Sequence, residues 1–539
     1  NLKISCKDKD LTFSHLKKIS PERKKFRIIR LSNKSRLNLT IKEITEPLKI
    51  QYLEIFKIPS FLIIFILRKF LKFNPLFMKP FIRTNKLWKD YNLKQSEKFI
   101  TNSENYSDWI RNIEPKLLKK ISNSINSKYH FIERGHQNFS LVENSEYVLC
   151  FNSKYTELYS WTKLAISWAL NLRKDSFILY GNEDEKNNNN ERINPTFKTA
   201  WNEELFCSDP FYSSLWIISG KIWNDSIKQL ELAEIDINHK SILFNAINIL
   251  KIKNVKSPVI NIPLILSAKK FQFNNKFRKE EFRFHRNALE RYLNLRYELN
   301  PFSIINKGIG LKIQWSSYKE DKLSIIIPTK DNQKLLESCI NSIANHSSLK
   351  NYEIILVNNN SKESTTLSFF KKFLKESTSS RIHKLLNFNE VFNYAKINNF
   401  AIRHAQGSVI LLLNNDIEFL EKGWDIDLIN NALREDIGFV GAKLIYPNHT
   451  IQHAGILLGG NKVAYHPYRK VPEKKLINNK QVELAQEFSA VTGACMAITK
   501  EKWELLKGMD ENKLKICFND VDICLRARSF GLRNIYLSY

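Results

Sequence analysis

The 539-residue chain is short of acid. It carries 55 Asp and Glu against 84 Lys and Arg, a net charge of +29. Such an excess attracts polyanions: nucleic acid, an anionic membrane surface or a phosphorylated substrate. The features that would favour nucleic acid are missing. There is no RNA-binding signature, zinc-finger spacing or helix-turn-helix cue. Cysteine is also scarce. The seven residues, Cys6, Cys150, Cys207, Cys339, Cys495, Cys517 and Cys524, form no CxxC pair. That argues against a disulfide framework and for reduced thiols, most of them small core residues. Long apolar runs are absent too. The most hydrophobic stretch, IPSFLIIFIL (Ile58 to Leu67), is about half of the ~20 residues a spanning helix needs. With Arg68, Lys69 and Lys72 after it, it reads as a buried helix flanked by solvated lysines, or else as a helix lying in a membrane interface. No secretory signal is visible and the first residue is Asn1, so the chain reads as a fragment.

What is present is ample for packing. Hydrophobic residues make up 43% and aromatics 12%, which excludes a disordered composition. The length calls for two or three domains. Residues 1–100 are basic and show little periodicity. Between 101 and 300, EYVLCF and SFILYG read as strands, with the helical YSWTKLAISWALNL between them. VINIPLIL is a further strand and KFRKEEFRFHRNALERYLNLR a charged helix. NEDEKNNNNERINP reads as a polar loop, and residues 301–322 as a linker. This alternation suggests βαβ units.

From Leu323 the pattern sharpens. LSIIIPTKDN is a strand that ends in polar residues. QKLLESCINSIANH has apolar positions at helical spacing. YEIILVNNNS is a second strand ending at Asn358. VFNYAKINNFAIRHAQG is a helix, with Gly407 expected as its C′ glycine. The next strand, GSVILLLNNDIEFL, runs through five aliphatic residues and stops on Asn414, Asn415 and Asp416. In open α/β sheets, ligands bind just beyond the carboxyl ends of the strands. A doubly wound sheet with one shared cleft is predicted, and the polar triplet belongs to that cleft.

The motifs SIIIPTKDN, YEIILVNNNS, FNYAKINN, ILLLNNDIE, GFVGAKLIYPNHTIQHAGI, FSAVTGACMAITKEKWELLKGMDE and FNDVDICLRARSFG occur in the order of glycosyltransferase family 2. Residues 323–539 resemble its catalytic domain. The resemblance implies a GT-A fold, Rossmann-like and doubly wound, of the tandem bacterial type related to rhamnosyltransferases. It implies a nucleoside-diphosphate sugar donor and a divalent cation, Mn²⁺ or Mg²⁺. Asp416 falls where the family's metal-binding DxD motif ends, reduced here to a single acid; a helix cap is the alternative. Family members usually place Glu-Asp where this chain has Asn519-Asp520, which makes Asp520 the base for an inverting transfer. A cap for the helix VDICLRARSFG is the alternative role, and both can hold at once. Pro328, Thr329, Asp331, Asn358, Asn393, Asn399, Asn414, Asn415, Gly493 and Ala494 match donor-cleft positions. Asn358 stands where many members carry Asp. Asp522 and His453 are weaker acceptor-side candidates, and Arg526, four residues after Asp522, suits a helical ion pair. The family chain normally continues into a His-containing segment, so this one is expected to be truncated.

The first half resembles a damaged copy. SEYVLCFNSKYTEL aligns with GSVILLLNNDIEFL and puts Asn152, Ser153 and Lys154 against the triplet. An ammonium stands where a cation would bind. Only Asp236 is left as a possible acid in the counterpart of FNDVDICLRA. The expected organisation is a basic region (1–100), a degenerate glycosyltransferase-like domain (101–300), a linker (301–322) and a catalytic domain (323–539). The expected activity is transfer of a hexose or deoxyhexose, possibly rhamnose, to a surface polysaccharide or lipid-linked glycan. The alternative is a catalytically weak glycan-binding scaffold. A cytoplasmic location with peripheral contact to the inner face of the membrane is expected, with no nucleic-acid partner.

Overall fold

The computed structural model describes residues 2–6, 37–41 and 103–539, the last with short gaps at 123–128, 136–138, 174–175, 256–257, 271–274, 299, 317–321, 460–462 and 478. The chain divides into two compact units, Asn1–Lys89 and Asp90–Tyr539. In the first, Leu2–Cys6 pairs antiparallel with Leu37–Ile41. The apolar stretch Ile58 to Leu67 lies outside the described residues. Among the described residues no helix is long and apolar enough to cross a membrane.

The second unit contains two mixed sheets. The earlier is built from β1 (Phe131–Arg134), β2 (Tyr147–Phe151), β3 (Thr156–Leu158), β4 (Ile178–Lys186), β5 (Arg192–Thr196), β6 (Leu215–Ser219) and β7 (Val259–Lys269). Its helices include α1 (Thr162–Leu172), α2 (Glu203–Ser208), α3 (Gly220–Leu232), α4 (His239–Ile252) and α5 (Asn275–Arg296). The strand order is β1-β2-β6-β4-β7-β3, with β5 added to β4. The stretch read as a polar loop is therefore partly strand, because β4 continues through Lys186. Burial of its acids is offset by cations: Glu183 meets Lys198 at 2.8 Å and Lys269 at 2.6 Å, and Asp184 meets Arg192 at 2.6 Å. The expected linker is also structured. β8 (Phe302–Asn306) and β9 (Leu311–Trp315) form a hairpin. Its Ile304, Leu311, Ile313 and Trp315 join the core of the first half. Alternating burial along β9 is what anchors it there.

The later sheet contains β10 (Leu323–Thr329), β11 (Tyr352–Asn358), β12 (Arg381–Asn387), β13 (Val409–Leu413), β14 (Ile437–Ala442), β15 (Gln486–Phe488), β16 (Cys495–Thr499) and β17 (Arg533–Leu537). The order is β12-β11-β10-β13-β16-β14-β17-β15. The helices α6 (Gln333–His346), α7 (Ser364–Lys375), α8 (Tyr394–Arg403), α9 (Trp424–Leu433), α10 (Lys500–Leu505) and α11 (Asn519–Ser529) complete the fold. On α6, Leu336, Cys339, Ile340 and Ile343 form the buried stripe that the spacing predicts. β13 is buried throughout. The chain leaves β10 toward β11 on one side and returns to β13 on the other, so the sheet has a switch point between β10 and β13. Gly407 serves differently from its reading as a C′ glycine. α8 ends at Arg403 with His404 as C-cap. A Cβ at Gly407 would stand 2.3 Å from the Lys322 carbonyl oxygen and 2.6 Å from Ser324 Oγ. The glycine is required for close approach to β10.

The sheets repeat one another. Neighbours in β1-β2-β6-β4-β7 run parallel, antiparallel, antiparallel and parallel. So do neighbours in β10-β13-β16-β14-β17. The registers coincide. Phe151 pairs with Leu215 as Leu413 pairs with Cys495. Leu179 pairs with Ile217 and Ile260 as Val440 pairs with Ala497 and Ile535. Carried outward, this register puts Lys154 at the place of Asp416, and Ser213 and Ser214 at those of Gly493 and Ala494. Counting from the first residues of α4 and α11 puts Lys240 at the place of Asp520. Asp236, the acid expected to survive there, precedes α4.

Candidate active site

A cleft of about 620 Å³ opens at the switch point. Its floor is the end of β10, with Pro328, Thr329 and Lys330, and the turn after β13, with Asn414 and Asn415. Asn415 Nδ2 donates to Thr329 Oγ1 at 3.1 Å, which joins the two strand ends. The facing wall is the turn Thr492-Gly493-Ala494 before β16, which is fixed from three sides. Asn414 N donates to the Ala494 carbonyl at 2.9 Å. The Tyr394 hydroxyl donates to the Gly493 carbonyl at 2.7 Å. Asp520 Oδ2 accepts from Gly493 N at 3.1 Å. Asp520 thus stands in the first turn of α11. The N-cap is Phe518, without a side-chain cap bond, so Asp520 is not the capping residue.

Pro328, Thr329, Asn414, Asn415, Gly493, Ala494 and Asp520 line this cleft; the other sequence candidates do not. Asp416 follows Asn415 and is exposed. It forms no hydrogen bond or ion pair among the described residues. It is no helix cap, since α9 starts at Trp424 with Gly423 before it. Its charge, after burial, helps push the Cys339 thiol of α6 up to about 12. Asp331 accepts from Lys362 N at 2.6 Å and Glu363 N at 2.9 Å. Those amides hold its carboxyl below the usual range and make it the anchor for the start of α7. Asn358 bonds Ser361 N and Asn387 Oδ1; its neighbour Asn359 is the one on the cleft.

Asn393 and Asn399 brace a loop. Asn393 caps α8 through Lys396 N at 3.0 Å and donates to the Glu511 carbonyl at 2.9 Å. Asn399 exchanges bonds with Met509 and reaches Glu511 Oε1 at 2.8 Å. A Cβ on Gly508, whose φ is +66°, would meet Asn399 Oδ1 at 2.5 Å. The loop they hold delivers Ile516, Cys517 and Phe518 to the cleft. Asp522 pairs with Arg526 at 2.9 Å as the spacing suggested. His453 is wholly buried and bonds His466, which does line the cleft.

Sequence reasoning missed Lys330, Asn359, Phe392, Tyr394, His466 and Thr492. Lys330 had a usable signal, as the cation in the polar turn after the first strand. It is exposed and has no ion-pair partner among the described residues.

Residues 324–498 match the sequence family described as glycosyl transferase family 2. This chain carries a family 2 glycosyltransferase domain. The match covers the strands that build the cleft, and with the strand order it identifies the sheet of the family 2 domain as a GT-A fold. The chain is 35% identical over 222 residues to the uncharacterized protein y4gI of Sinorhizobium fredii, spanning 41% of this chain and 24% of that protein. It is 35% identical over 226 residues to the O-antigen biosynthesis protein RfbC of Myxococcus xanthus, spanning 42% of this chain and 17% of that one. The chain thus matches a quarter or less of the length of these relatives. Among solved structures, a mannosyltransferase from Pyrobaculum calidifontis in complex with GDP-Man and Mn²⁺ aligns with a TM-score of 0.32 at 16% identity, over 47% of this chain and 63% of that one.

The counterpart of the cleft in the first half is nearly closed, at about 40 Å³. Phe277 and Glu281 of α5 reach into it. Lys240 Nζ donates to the Pro210 carbonyl at 2.6 Å and stands 3.3 Å from Glu281.

Proposed function

We propose that the family 2 domain transfers a hexose or deoxyhexose, rhamnose among the candidates, from a nucleoside diphosphate to a surface polysaccharide or lipid-linked glycan, with inversion at the anomeric carbon. The observation that carries this reading is the cleft at the switch point, where the Asp520 carboxylate and the Lys330 ammonium, without an ion-pair partner among the described residues, line one cavity. In the step we infer, Asp520 takes the proton of an acceptor hydroxyl as that oxygen bonds the anomeric carbon. The bond from this carbon to the diphosphate oxygen breaks, and its electron pair leaves with the diphosphate. Lys330 stands to offset the charge that collects there. Asn414, Asn415 and the Gly493-Ala494 turn orient the sugar. Mn²⁺ or Mg²⁺ held by Asp416 would supply Lewis-acid stabilisation of the diphosphate. The donor set fits such an ion. Asp416 lies just outside the cleft, next to its lining residue Asn415, and is exposed and without a hydrogen-bond or ion-pair partner among the described residues. Mg²⁺ commonly takes one or two carboxylates with phosphates and water completing its shell.

The likeness to an O-antigen biosynthesis protein supports a polysaccharide acceptor. The net charge of +29 suits peripheral contact with an anionic cytoplasmic membrane face. The first half, with lysines at both acid positions and a plugged cleft, is in this reading a degenerate copy that supports the second. A weak glycan-binding scaffold is the second reading. It is favoured by the amides Asn414, Asn415 and Asn519, and by the absence of any cluster of three His, Cys, Asp or Glu among the described residues.

Thermal shift separates the two. A panel of nucleoside diphosphates and their sugars, with and without Mn²⁺, is applied to the chain and to Asp416→Ala. Ligand at 100 times its Kd stabilises the folded state by about 2.7 kcal/mol. A rise in Tm that needs both Mn²⁺ and Asp416 is expected. A folded chain that responds to no nucleotide sinks the transferase reading.

A further inference from the structure

Two histidines meet behind the cleft wall. His453 Nδ1 and His466 Nδ1 are 2.9 Å apart, with the rings steeply inclined at 75°. Two ring nitrogens at that distance share one proton, so one donates and the other accepts. His453 is 0% exposed, and its Nε2 is buried with no partner among the described residues. This orphan decides the direction. If His453 accepted at Nδ1, its proton would sit on Nε2 as a buried N–H with nothing to receive it. If it donates from Nδ1, Nε2 keeps only a bare lone pair, the smaller loss. His453 is therefore the Nδ1–H tautomer, and His466 accepts at Nδ1.

The consequence reaches the cleft. His466 makes no second hydrogen bond among the described residues, and it lines the cavity with Asp520. With Nδ1 occupied as an acceptor, its proton is on Nε2, the nitrogen left for the cleft. Burial favours the neutral form of both rings. Asp520 pulls His466 toward protonation and Arg469 opposes it, so the base is near enough to act on the ring.

We infer that His453 is a positioning residue that fixes the tautomer of His466, and that His466 Nε2–H is a hydrogen-bond donor to an oxygen of the acceptor sugar beside Asp520. The acceptor role rests on the transferase reading; the tautomer does not. Both are testable on the full chain. With ¹⁵N-histidine labelling at pH 8, His466 is assigned by its loss in His466→Gln. His466 is expected as the Nε2–H form and His453 as the Nδ1–H form. His453→Leu should leave His466 a mixture of tautomers. His453→Asn, whose amide N–H can replace the Nδ1 donor, should restore one. A His466 carrying its proton on Nδ1, or one indifferent to His453→Leu, overturns the inference.

The second arm uses methyl glycosides of hexoses and 6-deoxyhexoses as acceptors, with the donor that stabilises the chain. His466→Phe should raise the acceptor KM about tenfold with little change in kcat, the loss of one hydrogen bond. His466→Gln, which keeps an amide donor, should recover most of it. An unchanged KM in His466→Phe overturns the acceptor role. A Tm that no nucleotide sugar moves would count against the transferase reading and leave the tautomer result to stand or fall by itself.

Discussion

In the transfer we propose, Asp520 does two things at once, and a conservative substitution separates them. Its carboxylate holds Gly493 N at 3.1 Å and offers a base to the cleft. In Asp520→Asn the amide oxygen still accepts from Gly493, so the turn before β16 keeps its shape. The base is gone. Positioned proton transfer contributes roughly 10²–10⁴-fold, and we expect kcat to fall in that range while nucleotide still raises Tm as in the parent. A loss under about tenfold would reduce Asp520 to a support for Gly493. At this scale the sequence was partly legible. The strand ends were readable because a polar residue after an aliphatic run has few structural uses, and Thr329, Asn414 and Asn415 all lie in the cleft. Tyr394 and His466 were not, because their place depends on folding back. Tyr394 reaches a carbonyl 99 residues away.

Among elements, α9 and α2 are joined by a buried ion pair. Arg434, just past α9, is 2% exposed. It meets Glu204 of α2 with bonds of 2.8 and 3.0 Å. Its guanidinium also stacks 4.7 Å from the Trp315 ring. Glu204 lies 3.3 Å from Arg533 as well. Arg434→Met strips Glu204 of its main partner while keeping much of the apolar stem. Breaking a buried pair from one side costs about 3–5 kcal/mol, to be read as a drop in Tm. The double variant Arg434→Met with Glu204→Leu should recover a large part, since two apolar groups replace a desolvated pair. A double variant as unstable as the single would mean that Arg533 carries the coupling. None of this was visible in the sequence. Nothing in the sequence singled out Glu203 or Glu204, and residues 301–322 read as a linker. Burial there is decided by partners distant in the chain, Arg434 lying 230 residues from Glu204 and Tyr292 lying 89 from Glu203. The strands and helices themselves were legible, since aliphatic runs and helical spacing are local signals.

For the whole molecule, the two larger sheets share one strand architecture and differ in the residues beyond the strand ends. Strand order, direction and register persist from the first sheet to the second because they are set by the aliphatic pattern of each strand. The residues beyond the strand ends are under no such constraint, and there Asp416 and Asp520 are answered by Lys154 and Lys240. The first half instead encloses ionisable groups, which tie stability to pH. His285 is 0% exposed and donates from Nε2 to the Cys207 carbonyl at 3.0 Å. Burial pushes it down to about 3, from an ordinary value of 6.5. Below pH 6.5 the unfolded chain binds a proton here that the folded chain does not, so stability falls with pH until about 3. At pH 4.5 this one residue costs roughly 2.7 kcal/mol, at 1.36 per unit. Burial lowers His239 and His453 in the same sense. The carboxylates act later. Despite burial, Lys251 and two arginines hold Glu203 down at about 2. Its stabilisation is complete above the unfolded value near 4.5 and is lost as pH falls toward 2. Denaturation from pH 8 downward should therefore show Tm falling already between pH 6.5 and 5, before the stabilisation held by Glu203 is lost. His285→Phe should lessen the decline between pH 6.5 and about 3, leaving the share due to His239 and His453 and the carboxylate loss below pH 4.5. A Tm that holds level to pH 5 would mean that these histidines take up a proton in the folded chain as readily as in the unfolded one.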